Sequence, residues 1–474
     1  MTASPATHPH APGRVLSTLN EDGTRRWIRP KLSPGRFWHL RRWVAYALMV
    51  VFFIIPYLRL DGKPLVLLDV PRRQFTLLGY TFLPTDTLLF MLLLLSIAIS
   101  IFLLTALFGR VWCGWACPQT VYMEFLFRPI ERLLEGGRSG SVVLDKAKGF
   151  KPRRVVKHAV YLVLALFLAH TFLAYFVGVE NLLQWVRQSP VEHPTSFLIM
   201  AGTTALILFD FGWFREQTCL VACPYGRLQS VLLDRQSVIV GYDVRRGEPR
   251  DRKVKDRATG AGDCIDCGAC VLTCPTGIDI RDGLQMECIH CTQCADACDA
   301  IMDKVDKPRG LIRYTSRDAV EGRPARLLRP RVVLYPLALA LAVGLLAFNL
   351  GTKSDTDVTL LRGAGAPFTR QPNGTVVNQI RVKITNRAST DRAYRLEVTG
   401  IAGATLIAPQ NPFAVGAGRT AETSVFVVVP PERFDEDRLA VTLRVSDGAG
   451  FALDAPYELV GPEHDDHPSE GDDR

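Results

Sequence analysis

The chain has 474 residues, a formal net charge of +9 and 48% hydrophobic residues gathered into clumps. That length accommodates two to four domains, and the clumping excludes an ordinary soluble protein. The excess of Lys and Arg falls in alternate connections between apolar stretches, which is a topology signal and excludes a nucleic-acid footprint.

Residues 1–41 form a polar N-terminal segment whose first 20 residues, rich in Pro, Ala, Ser and Thr, are expected to be disordered. Arg25–Arg26 resembles a twin-arginine pair, but no signal-like apolar segment follows it directly, so it counts as ordinary positive charge. Residues 42–240 hold four apolar stretches, Trp43–Leu60, Thr87–Phe108, His158–Val179 and Thr195–Phe214, and a fifth follows at Val332–Leu350. Each suffices to cross a bilayer core of ~30 Å, which takes about 20 apolar residues as helix. The first lies too deep in the chain for a cleaved signal peptide.

Spans two and four end alike. "FGRVWCGWACPQTVYMEFLF" and "FGWFREQTCLVACPYGRLQSVLL" each contain C-x3-C-P, giving Cys113 and Cys117 before Pro118, and Cys219 and Cys223 before Pro224. Apolar residues follow at helical spacing: Val121, Phe125 and Leu126, then Leu228, Val231 and Leu232. Each unit is expected to be a span, a cysteine turn and an amphipathic helix along the inner membrane surface, with proline suited to the first helical turn. Cysteines four apart in one helix would lie about 5–6 Å apart at Cβ, and a helix N-terminus lowers a thiol pKa. Paired soft thiolates favour Cu(I), zinc or iron–sulfur over hard ions. The bland alternative is small residues packing a helix end; their recurrence in a repeat favours four converging thiols.

Polar residues inside spans are functional candidates. His158 is expected at the interface. His170 is a candidate haem or quinone ligand, although no partner histidine stands at its depth, and Asp210 lies near the inner end of span four. No C-x-x-C-H, Walker or Rossmann motif occurs.

Residues 241–330 are expected to form a ferredoxin-like α+β domain, entered through the charged connector "GYDVRRGEPRDRKVKDR" (241–257). Cys264-x2-Cys267-x2-Cys270-x3-Cys274-Pro275 is followed by Cys288-x2-Cys291-x2-Cys294-x3-Cys298. Three cysteines at two-residue gaps wrap one iron–sulfur cube, and the fourth points to the neighbouring cube. This assigns Cys264, Cys267, Cys270 and Cys298 to one 4Fe–4S cluster and Cys288, Cys291, Cys294 and Cys274 to the other. Paired C-x2-C zinc sites are the alternative, but zinc does not require the repeated third and fourth cysteines. Two neighbouring cubes make an electron wire. His290 is expected to be a solvent-side filler and not a ligand.

After the span at 331–350, residues 351–462 change character. "TVVNQIRVKITN", "AYRLEVTG", "TSVFVVVP" and "LAVTLRVSD" alternate apolar and polar residues, the pattern of short antiparallel strands in a sandwich. The acidic end, 463–474, carries His464 and His467 and is expected to be a solvated tail.

Lys and Arg number eight in residues 1–42, ten in 109–157 and twenty in 215–331, against four in 59–86 and one in 180–194. With five spans this implies an N-terminus inside and a C-terminus outside. All twelve cysteines then fall on the cytoplasmic side, where thiols stay reduced.

On these residues the chain resembles the FixG/CcoG (RdxA-type) family, the membrane-bound accessory proteins of cbb3-type cytochrome c oxidase. The resemblance covers about residues 25–460 and rests on the two C-x3-C-P turns, "GYDVRRGEPR", "CPTGIDIRDGLQMECIHCTQCADACD" and the outer immunoglobulin-like domain. It implies a bacterial inner-membrane protein with five transmembrane helices, two cytoplasmic 4Fe–4S clusters and a periplasmic Ig-like β-sandwich. It further implies reduction of Cu(II) to Cu(I) for oxidase assembly, with Cys113, Cys117, Cys219 and Cys223 handling copper. Expected partners are the membrane, oxidase subunits or copper-delivery proteins, and an unknown electron donor. A quinol-linked conduit to a periplasmic redox partner and a non-redox assembly scaffold are the alternatives.

Overall fold

The computed structural model describes residues 16–462 apart from 21, 61, 72, 84–85, 251–261, 325–328, 389 and 435–436, and without the side chains of 227, 228, 230 and 231. Expectations for residues 1–15, for residues 251–257 of the charged connector, for the acidic tail with His464 and His467, and for the side chains of Leu228 and Val231 lie outside the described residues.

Five helices are long and apolar enough to cross a membrane. They are built on α1 (Arg36–Ile54), α2 (Thr87–Phe108), α3 (Pro152–Val177), α4 (Pro194–Phe209) and α5 (Pro330–Gly351). Apolarity located the spans but not their ends. α3 starts at Pro152, ahead of the expected His158, because proline fits the first helical turn. α1 starts at Arg36, not Trp43, because its first residues are held by protein: the backbone N–H groups of Phe37 and Trp38 donate to the Asp296 carboxylate at 3.2 and 2.7 Å.

The chain divides into two compact units. The first contains the five spans up to Phe348 and the cysteine-rich segment, which packs with the helices and does not stand apart. In it, β1 (Ile239–Tyr242) pairs antiparallel with β2 (Ile312–Thr315), and two helices, α6 (Ala269–Thr273) and α7 (Gln293–Met302), carry cysteines. Val240, Ile278, Ile280, Met302, Leu311 and Ile312 bury themselves against those cysteines. Residues 16–20, expected to be disordered, are tied down instead: Ser17 N–H donates to Glu287 Oε1 (2.8 Å) and Ser17 Oγ–H to the Thr276 carbonyl (2.7 Å).

The stretch after the first C-x3-C-P unit is also corrected. Pro118–Tyr122, a π-helical turn at Met123–Phe127 and Arg128–Glu135 are buried in protein, not laid along a surface. Phe127 stacks on Phe211 (4.3 Å between centroids) and meets Tyr161 edge-on (4.8 Å), the geometry aromatic rings favour. Amphipathic spacing is the same for a helix facing lipid and one facing other helices.

The second unit, from Asn349 with residues 59–63 and 77–81, is the expected sandwich. One sheet orders its main strands as Thr405–Ile407, Thr420–Val429, Val376–Asn386, Thr356–Arg362; the other runs Phe413–Val415, Arg392–Thr399, Arg438–Ser446, Ala452–Val460. Alternate residues Val376, Ile380, Val382 and Ile384 face Tyr394, Leu396, Leu443 and Val445 across the core, the period-2 burial of aligned sheets.

Candidate iron–sulfur and thiol site

The loops around the cysteines fold back through left-handed backbone at Asp266, Gly268, His290 and Thr292. Such conformations cost non-glycine residues and persist only where packing imposes them. The result is two small cavities. Cys274, Cys288, Cys291 and Cys294 line the first, with Ile278, Ile280 and Ile289. Cys264, Cys267, Cys270 and Cys298 line the second, with Tyr242, Met302 and Leu311. Cys270 lines both, so the cavities adjoin.

Burial pushes the thiols of Cys270, Cys288 and Cys298 up to about 12. Burial thus favours the protonated thiols, and a bound metal centre must displace those protons. Zinc would need sulfurs at ~2.3 Å from one atom, whereas a cube spreads its ligands over separate irons. The donor chemistry and the spacing fit cubes.

The C-x3-C-P units differ from expectation in two ways. Cys113 sits in a short helix, Val111–Trp115, while Cys117 is extended (φ −60°, ψ 127°) ahead of the helix begun by Pro118. Cys219 lies in a π-helical turn, Thr218–Ala222, and Cys223 is extended (φ −74°, ψ 110°) ahead of Pro224. Neither pair shares one helix, because the residue before proline is driven out of the helical region. Nor are the thiols of Cys113, Cys117 and Cys219 lowered. Burial pushes Cys113 up to about 11 and raises Cys117 and Cys219; the N–H groups of Gln119 and Thr120 pull Cys117 the other way but lose to desolvation.

The four thiols nevertheless come together. After burial, Cys219 is raised by Cys117, Cys113 and Cys223, and Cys113 by Cys117 and Cys223. Cys113 packs with Ile289 and Cys291 in one buried cluster, edged by Tyr225, and its Sγ–H donates to Gln229 Oε1 at 3.1 Å. Gly114 makes this approach possible: a Cβ there would lie 2.6 Å from Ile289 O and 2.9 Å from Cys291 Cα. Gly114→Ala is expected to destabilise by about 1–3 kcal/mol of overpacking, read as a lower thermal midpoint in detergent. Gly202→Ala, which meets nothing within 4 Å, is the control and should leave the midpoint in place.

Asp210 accepts hydrogen bonds from Gln119 Nε2 (3.1 Å) and from Thr218 Oγ, so it ties one cysteine unit to the other, and its charge acts on the Cys219 thiol. His170 engages the Leu166 carbonyl through Nδ1 (2.7 Å) and lines a separate cavity with Trp185, Gln188, His193 and Met200. His193, stacked on Trp185 at 4.4 Å, is the neighbour that depth-matching in the sequence missed, since it comes from a connection. His158 is exposed. His290 is not a solvent-side filler: it is 0% exposed, and its Nδ1 accepts the Arg110 N–H at 3.2 Å. Cys288 and Cys291 on either side of it are themselves buried, which carries the ring inward.

Sequence reasoning also missed a buried ionic network beside the thiols. Arg215 donates to both Glu131 oxygens (3.0 and 2.9 Å), Lys157 pairs with Glu135 (2.6 Å), and Arg128 pairs with Glu124. The i,i+4 spacing of Glu124 and Arg128 was a signal for that one pair. Glu124, Arg128, Arg215 and Glu216 line a cavity with Cys219, Thr276 and Ile289.

Comparison with known proteins agrees with these observations. Family models match at residues 214–317 (4Fe–4S dicluster domain), 90–136 (4Fe–4S binding domain) and 346–462 (Ig-like fold at the C-terminus of FixG, putative oxidoreductase). Nitrogen fixation protein FixG of Rhizobium meliloti is 32% identical, over 94% of this chain and 95% of its own. Proteins RdxA and RdxB of Cereibacter sphaeroides are 36% and 35% identical, over 79% and 85% of this chain and 83% and 89% of theirs.

Proposed function

The chain belongs to the FixG/RdxA-type family of membrane iron–sulfur electron-transfer proteins, and on that premise we propose that it reduces Cu(II) to Cu(I) for assembly of a cbb3-type oxidase. Cys264, Cys267, Cys270 and Cys298 hold one cube; Cys274, Cys288, Cys291 and Cys294 hold the other. When bound, the cubes supply one-electron storage. Cys113, Cys117, Cys219 and Cys223 receive copper as substrate. Each Cu(II) gains one electron, and a reductant outside the chain restores it to the cubes. The observation that carries this reading is the packing of buried Cys113 against Ile289 and Cys291, two residues that line the nearer cavity. Soft sulfur donors stabilise Cu(I) over Cu(II) and so favour the product. The four thiols lie within electrostatic reach of one another, which offers copper a set of soft donors.

The Lys/Arg bias supports an inner-membrane orientation with the cubes cytoplasmic and the sandwich periplasmic. The scheme is tested on anaerobic, pre-reduced protein given Cu(II) in the absence of free reductant. The cube spectra should oxidise as a Cu(I) chelator registers product, and a Cys113→Ser, Cys117→Ser double variant should keep its cubes yet slow the transfer. Equal rates in that variant would remove the thiols from the scheme. A second reading, electron entry from quinol, is favoured by the cavity shared by His170, His193 and Trp185. Quinol-supported reduction of the cubes, abolished by His170→Leu, would distinguish it.

A further inference from the structure

Arg41 is the most unusual charge in the first unit. It lies in α1, is 0% exposed, and its Nε donates to the Gly114 carbonyl at 2.8 Å. Its Nη1 and Nη2 are buried with no hydrogen-bond partner. Asp296, whose charge acts on Arg41, is occupied by the Phe37 and Trp38 N–H groups, and among the described residues no ion pair to Arg41 forms. Phe125 covers the guanidinium at 5.5 Å. The position is a wedge between the two thiol sets: Gly114 follows Cys113, and the Arg41 charge acts on the Cys291 thiol.

A buried, unpaired cation is costly, and an anionic group facing it offsets that cost. A cube with four thiolate ligands is net negative and becomes more so on reduction, and net charge is one of the levers that set its potential. Among the described residues, the lining of the other cavity holds no such unpaired charge. Arg281, which lines it, is neutralised by Asp279 (2.6 Å) and Asp266 (2.5 Å). Arg110, also buried, adds a second positive charge on the Cys288 side.

We infer that Arg41 sets the direction of electron flow. It stabilises the reduced form of the cube held by Cys274, Cys288, Cys291 and Cys294, raising its potential above that of the cube held by Cys264, Cys267, Cys270 and Cys298. An electron therefore runs downhill toward Cys113, from the cube beside a paired arginine to the cube beside an unpaired one. This rests on the two-cube reading and goes beyond it by ordering the cubes. Arg41 is a positioning residue: it ligates nothing.

The test is an EPR-monitored redox titration of the full-length protein in detergent, with dithionite as the electron source and iron measured per chain. Wild type should show two potentials. Arg41→Met should lower the higher one and leave the lower one in place, and Arg41→Lys, which keeps the charge, should restore most of the difference. Loss of one cube in Arg41→Met with both kept in Arg41→Lys would also support the charge. An unmoved potential in Arg41→Met, equal shifts of both cubes, or equal iron loss in both variants overturns the inference while leaving the two-cube reading intact. Wild-type protein without iron would sink both.

Discussion

Replacing Cys298 by alanine is expected to remove one cube and spare the other, so that iron per chain falls to about half. The cube lost should be the one lost on replacing Cys267, not Cys288, although Cys298 closes the second motif and shares a helix with Cys294. The reason is geometric. Cys298 opens on the cavity of Cys264, Cys267 and Cys270, and Cys274 opens on that of Cys288, Cys291 and Cys294. Iron analysis with EPR on alanine variants at Cys267, Cys274, Cys288 and Cys298 should give two pairs of matching spectra, Cys267 with Cys298 and Cys274 with Cys288. Pairing by motif instead would refute crossed ligation.

Glu131→Ala should be the most damaging change that touches no cysteine. It strips Arg215 of a bidentate partner and leaves Arg29 and Lys157 facing a gap. Removing one member of a buried pair leaves an uncompensated charge and costs about 3–5 kcal/mol, read as a lower unfolding midpoint in detergent. A pH dependence follows. Burial alone would raise the Glu131 carboxyl, but Arg215, Lys157 and Arg29 outweigh it and hold the group far below the usual carboxylate range. A group depressed in the folded state stabilises fully above its unfolded value, ~4.3, and that contribution is lost as pH falls toward the folded one. Wild-type stability should therefore decline below about pH 4, more steeply than that of Glu131→Gln, which has no such proton to gain. Identical acid limbs would exclude Glu131 as the responsible group.

How much of this was legible beforehand varies with the residue. The spans were, since a run such as Thr87–Phe108 is apolar on every face. The sandwich was, since a strand such as Val376–Asn386 alternates inward and outward residues. The character of the helix after Pro118 was not: Phe125 and Phe127 face protein, where their spacing alone allowed lipid. His290 was misjudged because its exposure depends on Arg110, 180 positions earlier in the chain.

By itself the sequence determined the five apolar crossings, the iron–sulfur character and the sandwich, because hydropathy, cysteine gaps and strand alternation are all local properties of consecutive residues. Only the tertiary structure decided that Cys113 meets Cys291, that Glu131 is ringed by cations, and that Arg41 is sealed away unpaired. The energy of a charge or a thiol depends on what distant segments bring against it and on the water they exclude, and no pattern along one stretch of chain encodes that.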